Sequence, residues 1–259
     1  MTDATPWIAL TREISPALRN CELTHLAREP IDVERARSQH EAYERALAEL
    51  GCAVHRLPAG AEMADSVFIE DTAVVLDEVA VITRPGAPSR RAETPAVADA
   101  LAAYRRLVRL QAPARLDGGD VLVADRTVFV GRSERTNMTG IRQLRDALRR
   151  HGYTVQPVDV HGCLHLKTAV TSVGDGRLLI NRAWVPAEAF AGRELIDVDP
   201  DEPFAANALR IGERIIYPDS FPRTRALLEA HGIEIVPVPA DELAKAEGAV
   251  TCCSLVFRG

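Results

Sequence analysis

Residues 45–58 read R-A-L-A-E-L-G-C-A-V-H-R-L-P, and this stretch contains the unit on which the fold depends. Its first half is the end of an amphipathic helix, and its second half, after Gly51, is a strand that ends near a proline. Gly51 stands where a left-handed residue would end the helix. The same order of helix, glycine and strand returns at residues 145–158 and 225–239. The sequence therefore predicts a repeated α/β unit.

Two more units fit between these three copies. Each gap has room for one further helix and strand if a unit takes roughly 40 to 50 residues. Residues 95–107 provide a helix that leads into an apolar strand, and residues 185–200 provide a weaker candidate. The chain is thus predicted to contain about five copies of one unit.

A pair of strands joined by a short turn follows the helix–strand steps. The pairs are predicted at residues 72–83, 120–131, 168–181, 208–217 and 250–257. The last segment, which includes the adjacent cysteines Cys252 and Cys253, has no return strand of its own. We expect it to pair with the strand at residues 7–12, which would close a ring and protect the sheet edges. The prediction is one α/β domain over residues 1–259, with no linker.

Composition and charge argue against several classes of protein. The 259 residues are 47% hydrophobic and 26% charged, which is ordinary for a globular domain with a sizeable core. The net charge of −6 and the scatter of the basic residues argue against a nucleic-acid partner. No apolar run reaches membrane-spanning length and no signal peptide is recognisable, so we expect a cytoplasmic protein without a membrane partner. In that setting the five cysteines are expected to be reduced thiols.

Each strand pair is preceded by a short polar stretch, which we call its approach segment. The five approach segments are residues 65–71, 116–120, 161–167, 204–209 and 251–253. If the units surround an axis, equivalent positions in these segments face one point. The residues that would meet there are Glu70, Asp71, Asp117, His165, Asn207 and Cys252. A cysteine supplies a nucleophile, a histidine an acid and base, and a carboxylate orients the histidine. The remaining carboxylates would hold a cationic substrate.

Six motifs in and near these segments carry a family resemblance. They are SVFIEDTAVV, ITRPGAPSRR, LDGGDVL, FVGRSERTN, LHLK and TCCSL, in this order within residues 12–257. With them, the chain resembles the dimethylarginine dimethylaminohydrolases, a family of the guanidine-modifying superfamily that includes arginine deiminase. The resemblance implies a pentein-type five-bladed α/β propeller, in agreement with the repeats.

The resemblance also implies an activity. It is the hydrolysis of Nω-methylated arginines to citrulline and dimethylamine or methylamine, without a metal or an organic cofactor. The expected partner is the small-molecule substrate, and both a monomer and a homodimer stay open. An arginine deiminase with the same apparatus is the nearest alternative, although the chain shows no inserted helical domain of the kind that deiminases tend to carry.

The catalytic roles follow from the resemblance. Cys252 matches the nucleophile that forms a covalent thiouronium intermediate. Cys253 then has a structural role, because neighbouring residues of a strand face opposite sides. His165 matches the acid and base of the family. Asp117 matches the acidic residue that bonds the histidine and holds its tautomer, and Asp120 is left as a capping or ladder residue.

A metal site is the alternative for the third approach segment. His161, Cys163 and His165 would lie on one face if the segment were extended, which is typical of part of a zinc site. No fourth ligand with suitable spacing is evident, so His161 and Cys163 are expected in a loop or in the core. A thiol-rich metal-binding protein stays an alternative of a different class.

Three acidic residues match substrate ligands of the family. Asp71 and Glu70 match the groups that contact the guanidinium, and Asp65 matches a ligand of the α-ammonium group. They flank the apolar stretch V-F-I, which draws at least one of them inward. A buried carboxylate needs a cationic partner, and the substrate would provide it.

Arg90 and Arg135 match residues that bind the α-carboxylate, for which an arginine fork is suited. Arg91 is adjacent to Arg90 and is an alternative ligand. The backbone carbonyls of Leu23 and Ala246 are expected as further contacts. The loop that contains Leu23 is expected to close over the site as a lid.

Overall fold

The computed structural model describes residues 5–259. Within this part of the chain, fifteen strands form five sheets of three strands each, arranged as the blades of a propeller. The strands are β1 Trp7–Arg12, β2 Cys52–Leu57, β3 Ala73–Val75, β4 Ala80–Ile82, β5 Leu107–Arg109, β6 Val121–Ala124, β7 Thr127–Arg132, β8 Thr154–Asp159, β9 Val170–Gly174, β10 Arg177–Ile180, β11 Glu194–Asp197, β12 Leu209–Ile211, β13 Arg214–Pro218, β14 Glu234–Val238 and β15 Leu255–Arg258. The five-bladed α/β propeller predicted from the repeats is confirmed.

Helices connect the strands, and the longer ones pack against the sheets. The α-helices are α1 Val33–Glu49, α2 Thr94–Leu101, α3 Met138–Arg149, α4 Leu166–Ala169, α5 Pro222–Ala230 and α6 Asp241–Ala244. Single turns of 3-10 helix lie at Leu18–Asn20, Ile69–Thr72, Pro88–Glu93, Gly118–Asp120 and Ala187–Phe190. Along residues 5–259, no helix is both long enough and apolar enough to cross a membrane.

Every blade has the same strand pattern. Its middle strand pairs antiparallel with one neighbour and parallel with the other, and the parallel pair is joined by a crossover. In the first blade the antiparallel neighbour comes from the other end of the chain, because β15 pairs with β1 and sets Phe257 opposite Ile8. The predicted closure of the ring by the C-terminal strand is therefore confirmed.

The glycine signal is confirmed as well. Gly51, Gly152 and Gly232 follow α1, α3 and α5 with φ of 88°, 79° and 76°. A residue with a Cβ is strained at such a φ, so glycine is the residue that ends these helices and turns the chain into the next strand.

The core lies between the blades. Five apolar clusters fill the spaces between neighbouring sheets and the helices outside them. The middle strands are buried on both faces: in β1, Ala9 belongs to one cluster while Ile8 and Leu10 belong to the next. Successive residues of a strand face opposite sides, so each middle strand serves two interblade clusters. This packing fixes the ends of the strands around the centre.

Three local predictions are wrong. Cys252 and Cys253 do not lie inside a strand: residues 250–253 form a turn, with Cys252 N donating to Ala249 O at 3.1 Å, and β15 begins at Leu255. The helix expected over residues 95–107 ends at Leu101. In addition, the crossover of the fourth blade is a 3-10 turn instead of an α-helix.

Candidate active site

The five approach segments meet at the centre of the propeller and form a closed ring of hydrogen bonds. The links run from Gly119 N to Asp71 Oδ1 (2.8 Å), from Leu166 N to Asp120 Oδ1 (2.9 Å), from Asn207 Nδ2 to Lys167 O (2.9 Å), from Asn207 Nδ2 to Thr251 Oγ1 (3.0 Å) and from Thr251 Oγ1 to Glu70 Oε2 (2.9 Å). Each blade thus positions its polar residues against those of the next blade. Asn207 serves as a connector in this ring, and Asp120 caps the start of α4.

Cys252 lies in the turn before β15, half-buried at the floor of a central cavity. Its backbone carbonyl accepts a hydrogen bond from Glu70 N at 3.1 Å, which fixes the turn against the first approach segment. Burial, together with the charges of Glu70 and Asp71, raises the pKa of the thiol to about 12. The adjacent Cys253 is fully buried in the interblade cluster beside α1. The two cysteines are thus separated as expected, although by a turn and not by strand alternation.

His165 stands just before α4 and lines the same cavity. Its Nε2 lies 3.1 Å from Asp117 Oδ2, and its Nδ1 lies 3.9 Å from Asp71 Oδ1. Burial opposes the charged imidazolium, but the nearby carboxylates, led by Asp71, outweigh burial and raise the pKa of His165 to about 9. The imidazole is therefore cationic at neutral pH, and Asp117 orients it.

Gly119 allows this packing. A Cβ at this position would lie 2.5 Å from His165 Nδ1 and 2.9 Å from Asp71 Oδ1. The backbone of the second approach segment can approach the imidazole this closely only because residue 119 has no side chain. The Gly-Gly pair after Asp117 is therefore part of the site.

Asp71 and Arg90 form a buried ion pair, with Nη1 of the arginine 2.5 Å from Oδ2 of the carboxylate. Burial alone would raise the pKa of Asp71, but His165 and Arg90 lower it to about 2. Arg90 also bonds both oxygens of Glu93 and the carbonyl oxygens of residues 65 and 68. Its guanidinium donors are thus engaged by the protein, and it holds Asp71 in place while lining the cavity.

Glu70 is the second carboxylate beneath Cys252. It accepts hydrogen bonds from Lys167 Nζ and from Thr251 Oγ1. Burial raises the pKa of Glu70, and Lys167 opposes that increase. Sequence reasoning did not find the role of Lys167, although the residue belongs to the quoted motif LHLK.

The loop after β1 reaches the same cavity at Glu22. Asp65 accepts hydrogen bonds from Glu22 N, and burial raises the pKa of this carboxyl while Arg90 opposes the increase. Arg135 donates to Thr24 Oγ1 at 3.0 Å and lies 4.0 Å from Asp117 Oδ2. Arg91, the alternative ligand, instead donates to the carbonyl of residue 85.

These residues enclose one cavity. It is lined by Glu22, Asp65, Phe68, Asp71, Arg90, Arg135, Leu164, His165, Ala246, Glu247 and Cys252. Leu23 is half-buried in the adjoining loop and packs on the cluster beside α1, while Glu70 and Asp117 lie behind the lining. The space inside is about 20 Å³, which is room for a water molecule and not for an amino acid. Side chains of the lining or the bordering loop must therefore shift before a larger ligand can bind.

The zinc alternative finds no support in the geometry. Within the described part of the chain, the group of potential ligand atoms lying within 4.8 Å of one another is Asp71, Asp117 and His165. His161 is exposed, and the buried Cys163 donates to His165 O at 3.5 Å. Arg90 already supplies a positive charge to Asp71. The arrangement places a thiol, an imidazolium and carboxylates around one small space, which suits nucleophilic attack on a cation.

Comparisons with known proteins agree on one family. The family model described as N,N dimethylarginine dimethylhydrolase, eukaryotic, matches residues 22–257. An N(G),N(G)-dimethylarginine dimethylaminohydrolase of Streptomyces coelicolor is 41% identical over 251 residues and covers 96% of each chain. That of Pseudomonas aeruginosa is 34% identical over 228 residues, with 87% of this chain and 90% of the relative covered.

Two solved structures show the same fold with ligands bound. The Pseudomonas aeruginosa enzyme, as a cysteine-to-serine variant complexed with citrulline, superposes with a TM-score of 0.92 at 32% identity, over 98% of this chain and 100% of that one. A histidine-to-glycine variant of a dimethylarginine dimethylaminohydrolase, as an adduct with S-methyl-L-thiocitrulline, gives 0.90 at 32% identity, over 96% and 98% of the two chains.

Proposed function

The chain belongs to the dimethylarginine dimethylaminohydrolase family, and on this premise we propose its reaction and the residues that perform it. It hydrolyses Nω-methylated arginines to citrulline and dimethylamine or methylamine, through a covalent intermediate on Cys252. The whole of residues 1–259 acts as one catalytic domain. The observation that carries the assignment of residues is the meeting of Cys252, His165 and Asp71 on one enclosed cavity, with Asp117 behind the imidazole.

The substrate is held at both ends. Asp71 and Glu70 bind the guanidinium next to Cys252, where their negative charges favour a cation. Asp65 and the carbonyl oxygens of Leu23 and Ala246 receive the α-ammonium group. The α-carboxylate lies in the field of both arginines. Arg135, which donates to the Thr24 hydroxyl and lies 4.0 Å from Asp117 without the close ion pair that Arg90 forms with Asp71, supplies the direct fork. Arg90 contributes charge and keeps Asp71 oriented.

Substrate binding activates the nucleophile. In the free protein the thiol of Cys252 is protonated, since burial raises its pKa to about 12. A guanidinium beside the sulfur favours the thiolate and releases the thiol proton to solvent. The thiolate then attacks the guanidinium carbon. The bond from that carbon to the methylated nitrogen breaks as His165 donates its proton to the leaving amine, and a thiouronium remains on the sulfur.

Water completes the reaction. The neutral His165 removes a proton from a water molecule as the oxygen attacks the thiouronium carbon. The carbon–sulfur bond then breaks, citrulline leaves with the water oxygen in its ureido group, and the hydroxyl proton returns to the sulfur. His165 ends the cycle protonated, as it began.

Substitution Asp117→Asn is expected to lower kcat about 10²-fold and to change the pH profile. His165 must be protonated to release the amine. The falling limb appears in kcat, because Cys252 is already a thiolate in the substrate complex, and kcat falls as the pH rises through the pKa of His165, which is about 9 in the free protein. Asp117 raises that pKa, and its removal moves the falling limb to lower pH. The profile of kcat between pH 6 and 10 measures this. Asp146→Asn, on the exposed face of α3, is the control that leaves the limb in place; a limb that stays in place or moves to higher pH in Asp117→Asn contradicts the role.

Substitution Arg135→Ala is expected to raise KM for a methylated arginine about 10²-fold, because the buried α-carboxylate of the bound substrate loses its partner. The decarboxylated analogue of the substrate should react equally well with both proteins. Arg91→Ala is the matched control, with KM unchanged within about threefold. An equally small rise in KM for the two substitutions would show that the α-carboxylate of the substrate is held elsewhere.

The proposed function is tested by citrulline formation from asymmetric dimethylarginine, monomethylarginine and arginine at equal concentration. We expect citrulline from the two methylated substrates and little from arginine. Citrulline mainly from arginine would keep the mechanism and make the protein a deiminase. Citrulline from none of the three would overturn the proposed function.

A further inference from the structure

Glu247 makes a contact that the proposed chemistry does not use. Its carboxylate accepts hydrogen bonds from three successive backbone N–H groups of the loop after β1: Oε2 from Thr24 N at 3.0 Å, and Oε1 from His25 N at 2.5 Å and Leu26 N at 2.7 Å. Hydrogen bonds to an ionised acceptor are stronger than those between neutral groups. Glu247 lies more than 200 residues from this loop in the sequence, and it holds the loop against the segment between α6 and β15.

The backbone at Glu247 is unusual for the residue type. Its φ is 57°, in the left-handed region that residues with a Cβ adopt rarely. This conformation follows directly after Ala246, whose carbonyl we assign to the substrate. Non-glycine residues with such a φ cluster at functional sites. Here the conformation places the Glu247 carboxylate against the backbone of the loop.

The clamped loop borders the catalytic cavity. Glu22 and Glu247 line that cavity, and Thr24 accepts a hydrogen bond from Arg135. On its other side the loop faces a second, mostly apolar cavity of about 300 Å³, which His25, Leu26 and Glu247 help to line. The side chain of Glu247 therefore stands between the two cavities, where it fixes the loop that borders the smaller one.

We propose that Glu247 is a positioning residue that clamps residues 24–26 over the bound substrate. The proposal rests on the proposed function. The cavity has space for about one water molecule, and in this proposal an arginine derivative gains room when the loop lifts and the bonds to Glu247 break. When they form again, the loop places Leu23 and the Thr24–Arg135 pair against the amino-acid end of the substrate. The carboxylate thus contributes to substrate retention, while the reacting atoms lie on other residues.

Glu247→Gln tests the clamp with little change of shape. The amide has one neutral acceptor oxygen, and its NH₂ group cannot accept from the loop. We expect KM for methylated arginine to rise about tenfold while kcat stays within about threefold. Glu247→Asp, which keeps the charge on a shorter side chain, should restore part of the KM. Glu29→Gln, an exposed acid of the same loop that has no hydrogen-bond partner within residues 5–259, is the matched control.

Hydrogen exchange gives a readout that needs no activity. In Glu247→Gln the amides of residues 24–26 should exchange at least about tenfold faster, with the amides of β7 unchanged. Unchanged exchange at 24–26, or a fall in kcat without a change in KM, would overturn the clamp. If the natural protein makes no citrulline but the amides of residues 24–26 exchange faster in Glu247→Gln, the proposed function fails while the clamp stands.

Discussion

Replacing Cys252 with serine is expected to reduce citrulline formation by about 10⁵-fold. The nucleophile must ionise in a buried position next to two carboxylates, and burial, together with their charges, already raises the pKa of the thiol to about 12. A hydroxyl is a weaker acid than a thiol, so the bound guanidinium cannot bring it into its ionised form at neutral pH. The structure should tolerate the change, because the ties of residue 252 to Glu70 and Ala249 are made by its backbone. The measurement is citrulline release at high protein concentration over hours, with binding of the methylated substrate followed by calorimetry.

Cys253→Ser is the matched control for this experiment. Its sulfur is buried in the cluster beside α1 and donates to Ala249 O at 3.5 Å. A hydroxyl there is expected to cost about 1–2 kcal/mol of folding stability. The folded fraction should keep its turnover number. Full turnover in Cys252→Ser, or its loss in folded Cys253→Ser, would move the nucleophile from residue 252.

The propeller could be predicted from the sequence because its signals are local and repeated. Helix, glycine and strand stand in a fixed order at residues 45–58, and three copies of that order define a unit. The closure by β15 followed from a different argument, since an unpaired strand at one end needed a partner at the other. The fourth blade is the weakest copy in the sequence, and its crossover contains the 3-10 turn Ala187–Phe190 in place of an α-helix.

The turn at residues 250–253 could not be predicted from composition. The run V-T-C-C-S-L-V-F is apolar and β-branched enough to suggest a continuous strand. In the structure its first half turns because Thr251 and Cys252 bond Asn207, Ala249 and Glu70. Asn207 and Glu70 belong to two other approach segments, distant in the sequence. A pattern within eight residues carries no information about them.

The same limit applies to the site. Rotational equivalence of the approach segments predicts that Asp71, Asp117, His165 and Cys252 meet. It does not predict which pairs bond. The guanidinium of Arg90 is bonded to Asp71 and Glu93. The carboxylate of Glu247 accepts hydrogen bonds from a loop on the other side of the cavity. Such contacts depend on side-chain directions that the finished fold alone determines.

The next largest effect is expected for His165→Gly, which should lower the turnover of methylated arginine about 10⁴-fold. The imidazole donates a proton in the first half-reaction and removes one in the second, so the substitution removes the proton-transfer group of both. A substrate whose leaving group needs no proton separates the two. With S-methyl-L-thiocitrulline, the thiolate of Cys252 expels methanethiol unaided, but the resulting thiouronium has no base to activate water. The variant should therefore stop as a covalent adduct.

Intact-protein mass spectrometry detects this adduct as an increase equal to the substrate less methanethiol. The double variant His165→Gly, Cys252→Ser should show no increase, and the natural sequence should turn the substrate over without accumulating it. His161→Gly, an exposed histidine of the same approach segment, is the matched control with turnover unchanged. Rapid release of citrulline from His165→Gly would assign the activation of water to another group. An adduct in the double variant would place the covalent bond on another residue and would contradict the assignment of Cys252 as the nucleophile.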